Sequence, residues 1–269
     1  MQNSKLFSGR GAVETKSGGP LFSTEQMMRL TTLFNCPDEL AAVTIDLNAL
    51  QNKDGHWAEE LAEFYLRPAE RQKFKSFNFA KRKFQWLAGR ICAKEAVQAL
   101  WQKGPGPQAA DWQNLQISNT PAGRPFLETT TPTRRTVPDI SITHSGQKAA
   151  ALASLRHLCG LDLQEINSTV MRVKSRFASP AELHLLMKTG NRWPERTLLS
   201  MLWAGKEAVR KAFPCQPLPG FMDLRLYKFS GGPHEFSGQF ICRRRDMPPT
   251  IPVYCFLYKN YAGALTIVN

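Results

Sequence analysis

The sequence predicts an α+β fold built from two similar lobes, and three observations lead to it. Apolar residues recur at spacings of three and four over Ala80 to Gln102, and a second long helical pattern covers Leu198 to Phe213. Each long helix is followed by short β-like runs separated by turn residues, so each half holds helices and a few antiparallel strands. The 269 residues, 42% of them hydrophobic, suffice to bury one large core or two small ones. No clear internal sequence repeat is read between the halves.

Residues 1 to about 38, rich in Gly, Ser, Thr and Lys, read as a flexible extension with a short helix near Thr24 to Leu33, and no function is placed there. The first strand is Ala41 to Asn48, ended by the polar break Gln51 to Gly55, with helical segments to follow. Pro68 opens a helix through AERQKFKSF, because proline suits the first helical position. In the helix from Ala80, the apolar stripe is Phe84, Leu87, Ala88, Ile91, Cys92, Ala96, Ala99 and Leu100, and the Gly104 to Pro107 cluster stops it. Strands are expected at Leu115 to Ser118, Ile140 to Thr143, Ala149 to Ser154 and Leu158 to Leu163. After the second long helix, stopped by Pro214, strands follow at Asp223 to Phe229, Gln239 to Arg243, Val253 to Tyr258 and Leu265 to Val268.

No apolar run approaches the roughly 20 residues of a membrane-spanning helix, and the opening MQNSKLFSGRGAVETKSGG lacks a secretory apolar stretch, so a cytoplasmic location is expected. Six scattered cysteines form no CxxC pair and no disulfide framework, and read as free thiols. The formal net charge of +13 attracts anions: nucleic acid, anionic lipid, a phosphorylated metabolite or an acidic protein. No nucleic-acid fingerprint accompanies the charge.

Five segments carry candidate chemistry. In LWAGKEAVRKAF, Leu202 to Phe213, Glu207 and Lys211 lie four apart and share a helix face, as a reactive pair or a surface ion pair. In CGLDLQEI, Asp162 follows a glycine that lets another group approach; it suits a hard cation or an ordinary strand end. ISITHSG ends a strand in Thr143 and His144, where hydroxyl, imidazole and backbone donors suit phosphate, although a lone histidine is often structural. NTPAGRPF shapes a loop around Arg124, whose planar fork matches phosphate, against the alternative of a solvated turn. The basic stretch Arg71 to Arg90, with Lys73 among its charges, suits a nucleotide's phosphates or is a solvated face. His144 and Ser145 without a GxSxG elbow do not make a serine hydrolase.

In this order, PAERQKF, FAKRKFQWLAGR, AGRPF, ISITHSG, GLDLQ and WAGKEAVRK resemble the Sfp-type 4'-phosphopantetheinyl transferases from about Pro68 to Phe213, and RFASPAEL resembles that family's FS..E segment. The resemblance implies a monomeric pseudodimer of two similar lobes, each with a small antiparallel sheet and packed helices, divided as 39–155 and 156–269, with coenzyme A between them. It implies Mg2+ on Asp162 and Glu207, with Gln164 standing where many members have a third acid, so that its carbonyl or water fills that position. Lys211 is placed near the transferred phosphate, and Lys73, Asn119, Thr120, Gly123, Arg124, Thr143 and His144 on the coenzyme. The implied reaction carries 4'-phosphopantetheine from coenzyme A to a serine of an apo acyl or peptidyl carrier protein, an acidic helical domain, with Glu207 accepting the serine proton. Two other readings are a basic nucleic-acid-binding protein, which leaves Asp162, Glu207 and Lys211 without a shared purpose, and a noncatalytic carrier-binding module.

Overall fold

The computed structural model describes residues 20–36, 39–50, 56–102, 115–129, 137–189, 193–214, 217–231, 235–244 and 246–268. The first half contains α1 (Thr24–Phe34), β1 (Leu40–Asp46), α2 (Leu47–Leu50), α3 (Trp57–Tyr65), α4 (Pro68–Lys75), α5 (Ala80–Gln102), β2 (Leu115–Asn119), β3 (Pro125–Thr129), β4 (Asp139–Ser145) and β5 (Lys148–Ser154). The second contains β6 (Leu158–Glu165), α6 (Thr169–Arg172), α7 (Pro180–Thr189), α8 (Glu195–Ala212), β7 (Leu224–Gly231), β8 (Glu235–Cys242), β9 (Ile251–Tyr258) and β10 (Tyr261–Val268). The sheets are antiparallel, in the orders β1-β5-β4 and β6-β10-β9-β8-β7, with β2-β3 as a separate hairpin, so the class is α+β.

One long helix covers each main sheet. On the first sheet α5 comes so close that a Cβ on Gly89 would lie 2.9 Å from Ile142 Cγ2. On the second, a Cβ on Gly160 of β6 would lie 1.9 Å from the Ala208 carbonyl oxygen of α8, an approach only glycine permits. A third core lies where the sheets meet, made by Leu152, Leu161, Leu163, Phe256 and Leu265 and covered by Leu21, Phe22, Leu30 and Phe34. Residues 20–36, read above as part of a flexible extension, are therefore packed: α1 is held by a Ser23–Gln26 capping box and by its buried face. Residues 1–19 of that expectation, the Gln51 to Gly55 break and the Gly104 to Pro107 stop lie outside the described residues.

Among the differences from the sequence reading, two have a plain physical reason. Asn48 sits in α2, with its N–H donating to Asp46 Oδ1, rather than ending β1. β10 starts at Tyr261, through Ala262, Gly263 and Ala264, because Gly263 leaves room for the Phe256 ring, which a Cβ would approach to 2.2 Å.

The structure also corrects the absence of a repeat. Glu70 accepts from the Arg67 N–H, the Lys94 ammonium (2.6 Å) and the Ile117 N–H, while Lys94 donates to the Tyr65 carbonyl. Glu182 accepts from the Ser179 N–H, the Lys206 ammonium (2.8 Å) and the Leu226 N–H, while Lys206 donates to the Phe177 carbonyl. The two buried locks repeat each other, and their sequence trace is PAE at 68–70 and 180–182 with KEAV at 94–97 and 206–209, at one common spacing. The lock has no periodicity of its own, so a search for helical or strand patterns passes over it.

β4 and β6 are edges of different sheets, yet they are sewn together by side chains. Asp139, Ser141, Thr143 and Ser145 of β4 accept the N–H groups of Cys159 (2.7 Å), Leu161 (2.9 Å), Leu163 (3.1 Å) and Glu165 (2.9 Å) of β6. Alternate residues of a strand share a face, so one face of β4 supplies all four acceptors.

Candidate functional site

The close approach of α8 to Gly160 brings Lys211 of that helix onto β6. Its ammonium donates to Asp162 Oδ1 (2.7 Å), to the Leu161 carbonyl (3.1 Å) and to the Ile142 carbonyl of β4 (3.4 Å). Asp162 is 7% exposed, and the same Oδ1 accepts from the Thr143 hydroxyl at 3.0 Å. Asp162, Lys211 and Thr143, three of the residues picked out in the sequence, are thus in direct contact. Glu207 is one helical turn before Lys211 on the same face, with Oε1 accepting from Arg210 at 2.7 Å. Gln164 is on the Asp162 side of β6 by strand alternation, and its amide nitrogen donates to the Glu165 carbonyl.

His144 follows Thr143 at the end of β4, exposed at its tip. Crowding that strips water from the imidazolium, then the Lys211 charge, hold its pKa below the ordinary 6.5, with Arg82 adding to the effect and Asp162 opposing it. Arg82, which the sequence presents as one charge in a basic run, therefore stands in the field of the same site. The turn after His144 is held by Gln85, whose amide donates to the Gly146 carbonyl at 2.9 Å.

The loop from Asn119 to Arg124 is a closed turn. The Thr120 N–H donates to the Arg124 carbonyl, the Gly123 N–H to the Thr120 carbonyl, and the Asn119 amide to the Gly123 carbonyl, with Gly123 at φ +85°. Thr120 Oγ1 accepts the Arg124 N–H, and Asn119 Oδ1 accepts from the buried Arg90, whose guanidinium burial pushes down to about 10. Arg124 is already committed: its guanidinium pairs with Asp139 and donates to the Lys211 carbonyl at the end of α8. It ties this loop to the helix that carries Glu207 and Lys211. Lys73 is not joined to the cluster by any bond among the described residues; its ammonium lies 5.5 Å from the centre of the Phe77 ring.

The donor set suits a hard divalent cation. Among the described residues no three His, Cys, Asp or Glu side chains gather as a metal cage. Asp162 and Glu207 each use one carboxylate oxygen within the protein and keep the other without a hydrogen bond among the described residues. One or two carboxylates completed by water and substrate phosphates is the way Mg2+ is commonly held.

Sequence reasoning missed what holds these groups: the Glu182–Lys206 lock, which fixes α8 one residue before Glu207, and the β4 acceptors that position β6. The alternation of Asp139, Ser141, Thr143 and Ser145 was the available signal, a polar face with period two.

A family model described as the 4'-phosphopantetheinyl transferase superfamily matches residues 158–255, from β6 through α8 into β9. The holo-[acyl-carrier-protein] synthase of Lactococcus lactis subsp. lactis is 37% identical over 98 residues, 36% of this chain and 80% of that protein. That of Exiguobacterium sibiricum is 41% identical over 71 residues, 26% of this chain and 52% of that protein. Among solved structures, the holo-[acyl-carrier-protein] synthase of Neisseria meningitidis aligns with a TM-score of 0.36 and 18% identity, over 43% of this chain and 95% of that one.

Proposed function

The chain belongs to the 4'-phosphopantetheinyl transferase superfamily and is an enzyme of that class, and from that premise we propose that it transfers 4'-phosphopantetheine from coenzyme A to a serine of an apo carrier protein. We place it with the Sfp-type members, as a Mg2+-dependent cytoplasmic monomer of two lobes, 39–155 and 156–269. The observation that carries the reading is the meeting of Asp162 and Lys211, with Glu207 one turn away, beside the turn that carries His144.

The serine oxygen of the carrier attacks the phosphorus of the phosphate esterified to pantetheine. The new O–P bond forms as the bond to the bridging pyrophosphate oxygen breaks, and 3',5'-ADP leaves with that oxygen. Glu207 accepts the serine proton directly or through water, at the carboxylate oxygen that Arg210 does not use. Lys211 exchanges its longest bond, to the Ile142 carbonyl at 3.4 Å, for an oxygen of the transferred phosphate. His144 and the Asn119–Arg124 turn, including Thr120 and Gly123, hold the coenzyme's nucleotide end, while Lys73 meets its phosphates from α4. Asp162 and Glu207, with the Gln164 carbonyl or water, hold Mg2+, which supplies charge neutralisation on the pyrophosphate oxygens.

The test is to incubate the protein with coenzyme A, Mg2+ and several apo acyl and peptidyl carrier proteins and weigh the carriers by mass spectrometry. A carrier gaining one phosphopantetheine on its serine is the expected result. Carriers of unchanged mass with a folded protein at saturating coenzyme would overturn the proposal.

A further inference from the structure

Thr143 was singled out as a coenzyme contact, but the one proton its hydroxyl could give a phosphate is already donated inside the protein. A hydroxyl has one proton to donate and two lone pairs with which to accept. Thr143 Oγ1 accepts the Leu163 N–H at 3.1 Å and gives its proton to Asp162 Oδ1 at 3.0 Å. Thr143 is 3% exposed and Asp162 7%, so water has little room to take over either bond.

The seam between β4 and β6 provides an internal comparison. Ser141 and Ser145 make the same kind of bond, accepting the Leu161 and Glu165 N–H groups at 2.9 Å. Among the described residues, neither of them donates to an acid. Thr143 alone combines the sewing of β6 to β4 with a second bond to the carboxylate one residue before the N–H it accepts. Lys211 reaches the same oxygen from α8 at 2.7 Å. Two donors from two different elements converge on Oδ1, which restrains the carboxylate and leaves Oδ2 without a hydrogen bond among the described residues.

We propose that Thr143 is a positioning residue, whose hydroxyl sets the orientation of the Asp162 carboxylate rather than binding the coenzyme. The proposal rests on the reading of Asp162 as the acid that meets the metal and pyrophosphate. Buried partners that orient a ligating group typically change metal affinity by about 10- to 100-fold when removed. The β-branched side chain has few χ1 choices, so the hydroxyl is held where both partners need it.

Thr143→Val removes the donor and keeps the shape, Thr143→Ser keeps the donor, and Ser141→Ala breaks a rung of the seam that has no acid attached. Crystal structures of the three variants, with calorimetric Mn2+ titrations made without carrier, test the assignment. The expected result is a turned Asp162 carboxylate and about 10-fold weaker Mn2+ binding in Thr143→Val alone. Ser141→Ala and Thr143→Ser should keep the wild-type orientation and affinity, although Ser141→Ala loses stability. Steady-state kinetics should show Thr143→Val lowering kcat with little change in the KM for coenzyme A. If Thr143→Val fails to fold, Thr143→Cys retains the size with a weak donor and should give an intermediate affinity. An unturned carboxylate in folded Thr143→Val, or an equal loss of Mn2+ in Ser141→Ala, would overturn the proposal. So would a rise confined to the KM for coenzyme A. Wild type that binds no Mn2+ would instead sink the functional reading, while the carboxylate orientation still decides the role of Thr143.

Discussion

In the first half, the acid that follows the lock lysine is Glu95; in the second it is Glu207. Glu95 accepts from the Tyr65 hydroxyl at 2.7 Å, and burial pushes its carboxyl above the usual range despite that bond. Glu207 pairs with Arg210 near the surface. The strand acids compare in the same way: IDLN at 45–48 parallels LDLQ at 161–164. Asp46 pairs with Lys148 at 2.5 Å; burial opposes its ionisation, but the Lys148 bond and the Asn48 N–H hold it below the ordinary carboxylate value. Asp162 faces Lys211 and Thr143 instead. The framework is thus repeated while the surroundings of its acids are not, and the proposed reaction uses the acids of the second half.

The largest expected effect tests that contrast directly. Asp162→Ala and Glu207→Ala should each lower transfer by at least about 100-fold with the fold intact, the scale of losing one preorganised charge-stabilising group. Asp46→Ala and Glu95→Gln, at the equivalent positions, should leave turnover near wild type in the mass-spectrometric assay. Equal losses in both halves would break the comparison.

The locks should behave alike. Lys94 and Lys206 are fully buried and their glutamates nearly so, and removing one member of such a pair leaves a charge without compensation. Glu70→Ala and Glu182→Ala are therefore each expected to cost about 3–5 kcal/mol in urea unfolding. A marked difference between them would mean that the halves do not share one stabilising device.

A smaller effect is expected from restoring an acid. Gln164→Glu adds a charged oxygen beside Asp162 and should raise apparent Mg2+ affinity several-fold, whereas Asn48→Asp in the first half should leave it unchanged. A Mg2+ titration of transfer reads both, and an unmoved midpoint for Gln164→Glu would direct that side chain away from the cation.

The smallest concerns protons. With its pKa held below 6.5, His144 is neutral in the free protein at pH 7, and an adjacent phosphate favours its cation. Coenzyme binding should therefore take up a proton and weaken as pH rises from the depressed value of the free imidazole to the higher value of the complex. Calorimetry in two buffers of different ionisation enthalpy measures that uptake, and its persistence in His144→Ala would assign the proton elsewhere.

Much of the fold was legible because local chemistry decides it. α5 runs from Ala80 to Gln102 as its apolar spacing predicts, and α4 begins at Pro68. β3 was not foreseen: Pro125–Thr129 has little pattern of its own and becomes a strand by pairing with β2 across the Asn119–Arg124 turn. At the site, Asp162, Glu207 and Lys211 stood out as charges in apolar surroundings, but the resemblance paired Asp162 with Glu207, whereas the contact found is between Asp162 and Lys211. That Thr143 and Arg124 are engaged by the protein itself was not legible, because their partners lie on other elements, β6 for Thr143 and β4 and α8 for Arg124. Glu70 and Glu182 were not singled out in the sequence, because the lysines that meet them lie 24 residues further on.

The seam between β4 and β6 also bears on how the chain avoids misassembly. An uncovered strand edge presents a row of N–H groups that another chain can pair with. The edge of β6 is covered by side chains that precede it by 20 residues. During synthesis from the N-terminus, β4 has therefore left the ribosome before β6 follows. In the folded chain the four N–H groups of that edge are already engaged, so it offers a neighbouring copy no run of free donors to extend.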